Sequence, residues 1–278
     1  MQLRISHTTT VGYDEKATAG LHQARLTPVT TPGQIVVHSR VEITPQPWIS
    51  EYRDYFGSLV TAFEISDPHD ALVVEATCTV QTGRSPSEEA TLSWEQMAER
   101  EVADRWTEFL MLPPRVQPPE ELVERAEAIK AEGGLPGEIA RRVCGVVHEQ
   151  VSTTCRAPIL AQAADAWAAG SGTCQDVAHL AIGALRTLGI PARYVSGYSH
   201  PDADPQIGTT VRADEHGWIE WWDDAWHGYD PARLCEIGDT YVSVAKGRDH
   251  DDATPLAGIV ANAEPGSYEV VVEITRID

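Results

Sequence analysis

The stretch GSGTCQDVAHLAIGALRTLG, residues 170–189, constrains this chain more than any other. Val177, Leu180, Ala181, Ala184, Leu185 and Leu188 recur at steps of three and four, the period of one helix face. Gly172 and Thr173 supply a flexible start able to cap a helix, and Gly189 supplies a stop. Cys174 therefore falls at a helix N-terminus, where unpaired backbone N–H groups and the positive end of the helix dipole favour an anion. That is a nucleophile's location, although a cysteine that merely packs in the first turn fits the same pattern.

A chain of 278 residues that is 42% hydrophobic can bury a sizeable core, in one large domain or two modest ones. Its 21 basic and 42 acidic residues leave a formal charge of −21, which repels phosphate backbones and anionic lipid, so neither nucleic acid nor membrane is expected as a partner. The start, MQLRISHTTTV, alternates like a strand and lacks the basic patch and apolar core of a secretion signal. Without any run of about 18 apolar residues, the expected location is the cytoplasm. Cys78, Cys144, Cys155, Cys174 and Cys235 are odd in number and scattered, which suggests neither a disulfide framework nor a metal knuckle. Each reads as a free thiol, and all but Cys174 as small core residues.

LRISHTTTV, QIVVHSRVEI, SLVTAFEIS and ALVVEATCTV make residues 1 to about 83 a β-rich unit. TGRSPSEEA marks a boundary, and Ser93 with Gln96 forms a capping-box pattern ahead of a helix over MAEREVADRWTEFLML. ELVERAEAIKAEGG and GEIARRVCGVVHEQV predict two further helices. The divisions expected are 1–86 (β-rich), 87–134 (helical connector) and 135–278 (a core with a C-terminal strand, SYEVVVEITRI, able to return and join a sheet).

A thiol nucleophile needs a base, and EHGWIEWWDDAWHGYDPAR, residues 215–233, offers one. HGWIEWW and AWHGYD read as strands joined at Asp223 and Asp224, hence a hairpin. With a loop of two to four residues, Asp230 falls opposite His216 or within two positions of it, close enough to touch. A carboxylate on one imidazole nitrogen fixes the tautomer and leaves the other nitrogen to take the thiol proton.

GSGTCQDVAHLAIGALRTLGIPARYVSGY, followed by EHGWIEWW and YDPAR, resembles the catalytic core of the prokaryotic transglutaminase-like superfamily, bacterial transglutaminase-like cysteine proteases with an N-terminal β domain. MQLRISHTTTVGYDEKA, HQARLTPVTTPGQ and EYRDYFGSLVTAFEIS resemble the N-terminal β region of those proteins, and VAKGRDHDDATPLAGIV their C-terminal segment. The resemblance implies an α+β fold: a β-sandwich-like N-terminal domain, then a papain-like core with the cysteine helix packed on an antiparallel sheet. It also implies Cys174 as nucleophile, His216 as base and then acid, and Asp230 as orienter, acting without cofactor or metal on a peptide or protein substrate. Gly217 stands where Ala is common, a change expected to be harmless, and Ala232 and Arg233 stand where Thr and Asn are common.

The chemistry expected is acyl transfer through a thioester, with water making a hydrolase and an amine a transglutaminase. No calcium loop of the DxDxDG type is present, which argues against calcium-gated enzymes. A scaffold retaining the fold is the non-catalytic alternative. Among neighbouring residues, Asp176 is expected to complement the helix dipole and His179 to pack. Arg193 and Tyr198 lie on opposite strand faces, and Trp218, Trp221, Trp222 and Trp226 fit either a substrate groove or the core. His227, the rival base, points away from the face that Asp230 occupies.

Overall fold

The computed structural model describes residues 1–84, 91–154 and 162–278, so the expected boundary at 82–90 lies largely outside the described residues, as does Cys155. Six strands come first: β1 (Gln2–Ala17), β2 (Ala19–Thr27), β3 (Gln34–Thr44), β4 (Trp48–Arg53), β5 (Leu59–Ile65) and β6 (His69–Thr82). Helices α1 (Trp94–Met97), α2 (Arg100–Arg105), α3 (Glu120–Ala131) and α4 (Pro136–Gln150) follow, then β7 (Ser152–Thr153), α5 (Ala163–Ala169), β8 (Ser171–Gly172) and α6 (Cys174–Thr187). The remainder is β9 (Ala192–Ser199), β10 (Thr210–Ala213), β11 (Glu215–Trp222), β12 (Trp226–Asp230), β13 (Cys235–Glu236), β14 (Tyr241–Gly247), β15 (Leu256–Ala261) and β16 (Pro265–Arg276). The fold is α+β, an antiparallel β region followed by a mixed core.

Among the described residues the strands form a sheet ordered β10-β16-β1-β6-β3, a sheet β15-β2-β5-β4, a sheet β13-β12-β11-β9-β14, and the short parallel pair β7-β8. β1 and β6 are long, and strict alternation puts Leu3, Ile5 and Val11 of β1 with Leu72, Val74, Cys78 and Val80 of β6 on one apolar face. Two sheets share that face. Val11, Leu72 and Val74 pack on Ala24, Phe63 and Ile65 of the β15-β2-β5-β4 sheet. Leu3, Ile5 and Val80 pack on Tyr198, Val242 and Val244 of the β9–β14 sheet. Each fully buried Leu or Ile there contributes about 1.5–3 kcal/mol.

One expectation needs correction. The single helix over MAEREVADRWTEFLML is two short helices and a 3-10 turn at Thr107–Phe109, with the chain extended at Glu99. Its aromatic residues are drawn into a tertiary cluster in which Trp106 and Phe109 meet Trp226, at 4.9 and 5.2 Å between ring centroids, so local helical propensity is overridden. The closing strand returns to a sheet, pairing with β1 in the N-terminal region, and β15 pairs with β2. The expected capping box is present at Ser93 and Gln96.

Helix α6 lies against β9 and β11, sharing one cluster in which Val177, Leu180, Ala181, Tyr194, Ile219 and Trp221 are at most 1% exposed. It also runs against the turn at Pro114–Val116. A methyl group on Gly183 would come within 1.9 Å of the Val116 carbonyl oxygen, so only glycine permits this approach. The helix is thereby held on two sides, with its first turn over the central strands of the sheet.

Candidate active site

Thr173 caps α6. Its hydroxyl accepts from the Asp176 amide at 3.3 Å, while Asp176 Oδ2 accepts from the Thr173 amide and hydroxyl, both at 2.8 Å. Asp176 is thus the reciprocal half of the cap, as its first-turn position suggests. Cys174 opens the helix, 7% exposed, with its thiol donating to Gln175 Oε1 at 3.2 Å. The other described cysteines are also free: Cys78 and Cys144 are buried, but Cys235 is only half-buried, lying 3.4 Å from the Tyr241 hydroxyl. Burial pushes the Cys78 thiol up to about 12.

The β11–β12 hairpin closes through residues 223–225, with Trp222 opposite Trp226 and Ile219 opposite Tyr229. Asp224 takes a positive φ of 62°, a conformation aspartate tolerates in turns. This register sets Asp230 diagonally across from His216, and His216 Nε2 lies 2.6 Å from Asp230 Oδ2. The Cys174 side chain faces the same imidazole closely enough to favour its protonated form. Three residues from a helix start and two strands meet in one buried line.

Asp230 is wholly buried and heavily supported. Its Oδ1 accepts from the amides of Ala232 and Arg233 at 2.9 and 3.1 Å, and its Oδ2 accepts from the Tyr241 hydroxyl at 2.8 Å. Arg233 Nε stands 3.8 Å from the same oxygen, and its Nη1 donates to Ser199 Oγ at 2.6 Å. Burial alone would raise this carboxyl, but the hydrogen bond and charge of His216, the Tyr241 hydroxyl and Arg233 together hold it below the usual carboxylate range. For His216 burial alone would lower the imidazole; the hydrogen bonds and charges of Asp230 and Cys174 outweigh it and hold it up at about 9.

The remaining expectations sort by burial. Trp218, Trp221 and Trp222 are core residues at 1%, 1% and 9% exposure, Trp218 stacking beside His216, and Trp226 is half-buried under the Arg193 guanidinium at 3.9 Å. Tyr198 is buried, whereas Arg193 joins Glu220 and Lys246 in an ion network. His179 packs, its Nε2 accepting from the His250 amide at 3.1 Å. His227 Nε2 lies 3.2 Å from the Asp223 carbonyl, on the hairpin's loop side. Gly217 proves less neutral than expected: a methyl group there would sit 2.3 Å from the Tyr194 hydroxyl, so the glycine and the tyrosine fit as a pair. The amides that hold Asp230 belong to the backbone, so Ala232 and Arg233 preserve the turn.

Sequence reasoning missed Tyr241, which enters from another strand with no motif to announce it. It also missed the pairing of buried His7 with half-buried Glu215. His7 of β1 bonds the Tyr198 and Thr9 hydroxyls and approaches Glu215, the residue before His216, at 3.5 Å. Burial lowers His7 to about 4 and raises Glu215 to about 7. Among the described residues no cluster of three or more His, Cys, Asp or Glu side chains is placed to hold a metal ion, and no helix is long and apolar enough to cross a membrane.

A family model for the bacterial transglutaminase-like N-terminal region matches residues 3–81. One for the transglutaminase-like superfamily matches residues 123–231, the span that holds Cys174, His216 and Asp230. An uncharacterized protein of Mycobacterium leprae is 36% identical over 280 residues, covering 99% of each chain. An uncharacterized protein of Mycobacterium tuberculosis is 28% identical over 295 residues, covering 99% of this chain and 93% of the relative. Among solved structures, a Cytophaga hutchinsonii protein described as a candidate cysteine protease superposes with a TM-score of 0.74 at 20% identity, covering 98% of this chain and 90% of that one. At that identity the likeness is one of fold.

Proposed function

Because the chain belongs to the transglutaminase-like superfamily, we propose that it performs thiol-dependent acyl transfer on a peptide or amide carbonyl, with water as the acceptor. Cys174 is the nucleophile, His216 the base and then the acid, and Asp230 the orienter. The observation that carries the reading is the 2.6 Å bond from His216 Nε2 to Asp230 Oδ2, on an imidazole that the Cys174 side chain also faces.

The Cys174 proton passes to His216, and the thiolate attacks the carbonyl carbon. The resulting oxyanion faces the first-turn amides of α6, whose N–H groups have no partner within the helix. Collapse breaks the C–N bond, and the leaving amine takes the proton from His216. Water, giving its proton to His216, then opens the thioester and releases a carboxylic acid and the thiol. The lack of a DxDxDG calcium loop supports water over a calcium-gated cross-linking reaction.

The test needs no known substrate. Iodoacetamide alkylation of every cysteine is followed from pH 4 to 9 by peptide mass spectrometry, on the wild-type chain and on His216→Ala. Cys174 should react fastest below pH 8, and His216→Ala should remove that lead. A Cys174 no faster than Cys78 or Cys144 would sink the proposal. Incubation with a peptide mixture and a labelled primary amine then separates new termini, expected here, from amine incorporation into glutamine.

A further inference from the structure

Asp230 Oδ2 accepts two hydrogen bonds at once, from His216 Nε2 at 2.6 Å and from the Tyr241 hydroxyl at 2.8 Å. The tyrosine is 3% exposed at the start of β14, opposite Ser199 of β9. Its ring is clamped edge-on against Trp218, 5.4 Å between centroids, and lies 6.1 Å from the His216 ring. A phenol has one proton to donate. Since that proton goes to a carboxylate, the half-buried Cys235 at 3.4 Å is left to donate to the phenol oxygen. The groups facing the His216–Asp230 pair are therefore Cys174 from α6, Tyr241 from β14, Cys235 from β13 and Arg233 from the turn after β12.

We propose that Tyr241 is a positioning residue for the His216–Asp230 pair, its hydroxyl fixing Oδ2 against His216 Nε2 and keeping the shared proton on the histidine rather than on the carboxylate. This rests on the acyl-transfer reading for its purpose, and on hydrogen-bond geometry alone for its physics. A second donor on Oδ2 spreads the carboxylate's charge and makes that oxygen a poorer base. The proton therefore stays on Nε2, and Nδ1 is the nitrogen left for the thiol. Without the phenol the carboxylate would hold the imidazolium more tightly, and the histidine would return its proton to a leaving amine less readily.

The experiment is an NMR titration of the full chain labelled with 15N in histidine, which reads ring protonation and tautomer directly, on wild type, Tyr241→Phe, Asp230→Asn and the double variant. Phenylalanine keeps the ring and its packing on Trp218, and a thermal melt verifies that the fold is retained. The expected result is a His216 titration in Tyr241→Phe moved upward by about half a unit to one unit, a three- to ten-fold change in proton affinity. The further Tyr241 substitution should have no effect once Asp230 is asparagine. A Tyr241→Phe titration that superimposes on wild type or moves downward overturns the proposal, as does a shift of the same size in the Asp230→Asn background. The readout is independent of turnover, so a Cys174 without special reactivity would refute the acyl-transfer reading while leaving this result to be judged separately.

Discussion

At the scale of single residues the site is defined by what surrounds Asp230. Two backbone amides, a phenol, an imidazole and a nearby guanidinium converge on one buried carboxylate. Asp230→Asn keeps the shape but reverses the hydrogen-bond polarity toward His216, which loses both its orientation and its supporting charge. Cys174 alkylation near pH 7 should fall by about 10²–10⁴-fold, and the His216 titration should move down from about 9. Stopped-time alkylation with mass spectrometry reads the first effect, and histidine NMR the second. Gly217 gives a second residue-level prediction. Gly217→Ala drives a methyl group into the Tyr194 hydroxyl and should destabilise the fold by about 1–3 kcal/mol. Tyr194→Phe, by removing that oxygen, should return part of the loss in the double variant. Urea unfolding of the four proteins gives the coupling, and strictly additive losses would mean the two positions do not share this space.

Among the elements, β1 and β11 meet through His7 and Glu215, where charge burial makes stability depend on pH. Glu215 is raised to about 7, so the folded chain keeps a proton that the unfolded chain releases near 4.5. Its contribution is complete below pH 4.5 and is lost as pH rises toward 7. His7 is lowered to about 4 from 6.5, so the folded chain refuses a proton that the unfolded chain accepts, and stability is lost as pH falls from 6.5 toward 4. Between pH 4.5 and 6.5 the two slopes oppose and largely cancel. Glu215→Gln should abolish one slope only. The variant's melting temperature should climb between pH 4.5 and 6.5 where the wild type is flatter, and at pH 8 the variant should be the more stable by roughly 1–3 kcal/mol. Parallel melting curves for the two proteins across pH 4.5–8 would show that the pair does not titrate in this way.

For the whole molecule the long strands β1 and β6 are the joint, because one apolar face of their sheet is shared by two others. β16 belongs to that sheet, and Val272 and Ile274 are at most 1% exposed. Ending the chain at residue 264 removes these two side chains, about 3–6 kcal/mol of burial, against a total stability of about 5–15 kcal/mol for a domain. Seven of the eight tryptophans lie beyond residue 90, so near-ultraviolet circular dichroism reports the transglutaminase-like part of the chain. The truncated chain should lose that signal at much lower temperature, whereas a transglutaminase-like part that melts as in the full chain would mean that the sheets are independent. The sequence alone determined the strand-rich start, the helix with its cap and cysteine, and the hairpin that brings Asp230 within reach of His216. Each of these is written in short-range periodicity, in a turn signal or in a local cap. Tertiary structure alone decided that β15 and β16 return to the N-terminal sheets, that the segment after Ser93 breaks into short helices, that Tyr194 excludes a side chain at Gly217, and that Tyr241 reaches Asp230. These depend on which faces meet across long separations, and burial free energy is blind to sequence distance, so no local pattern records them.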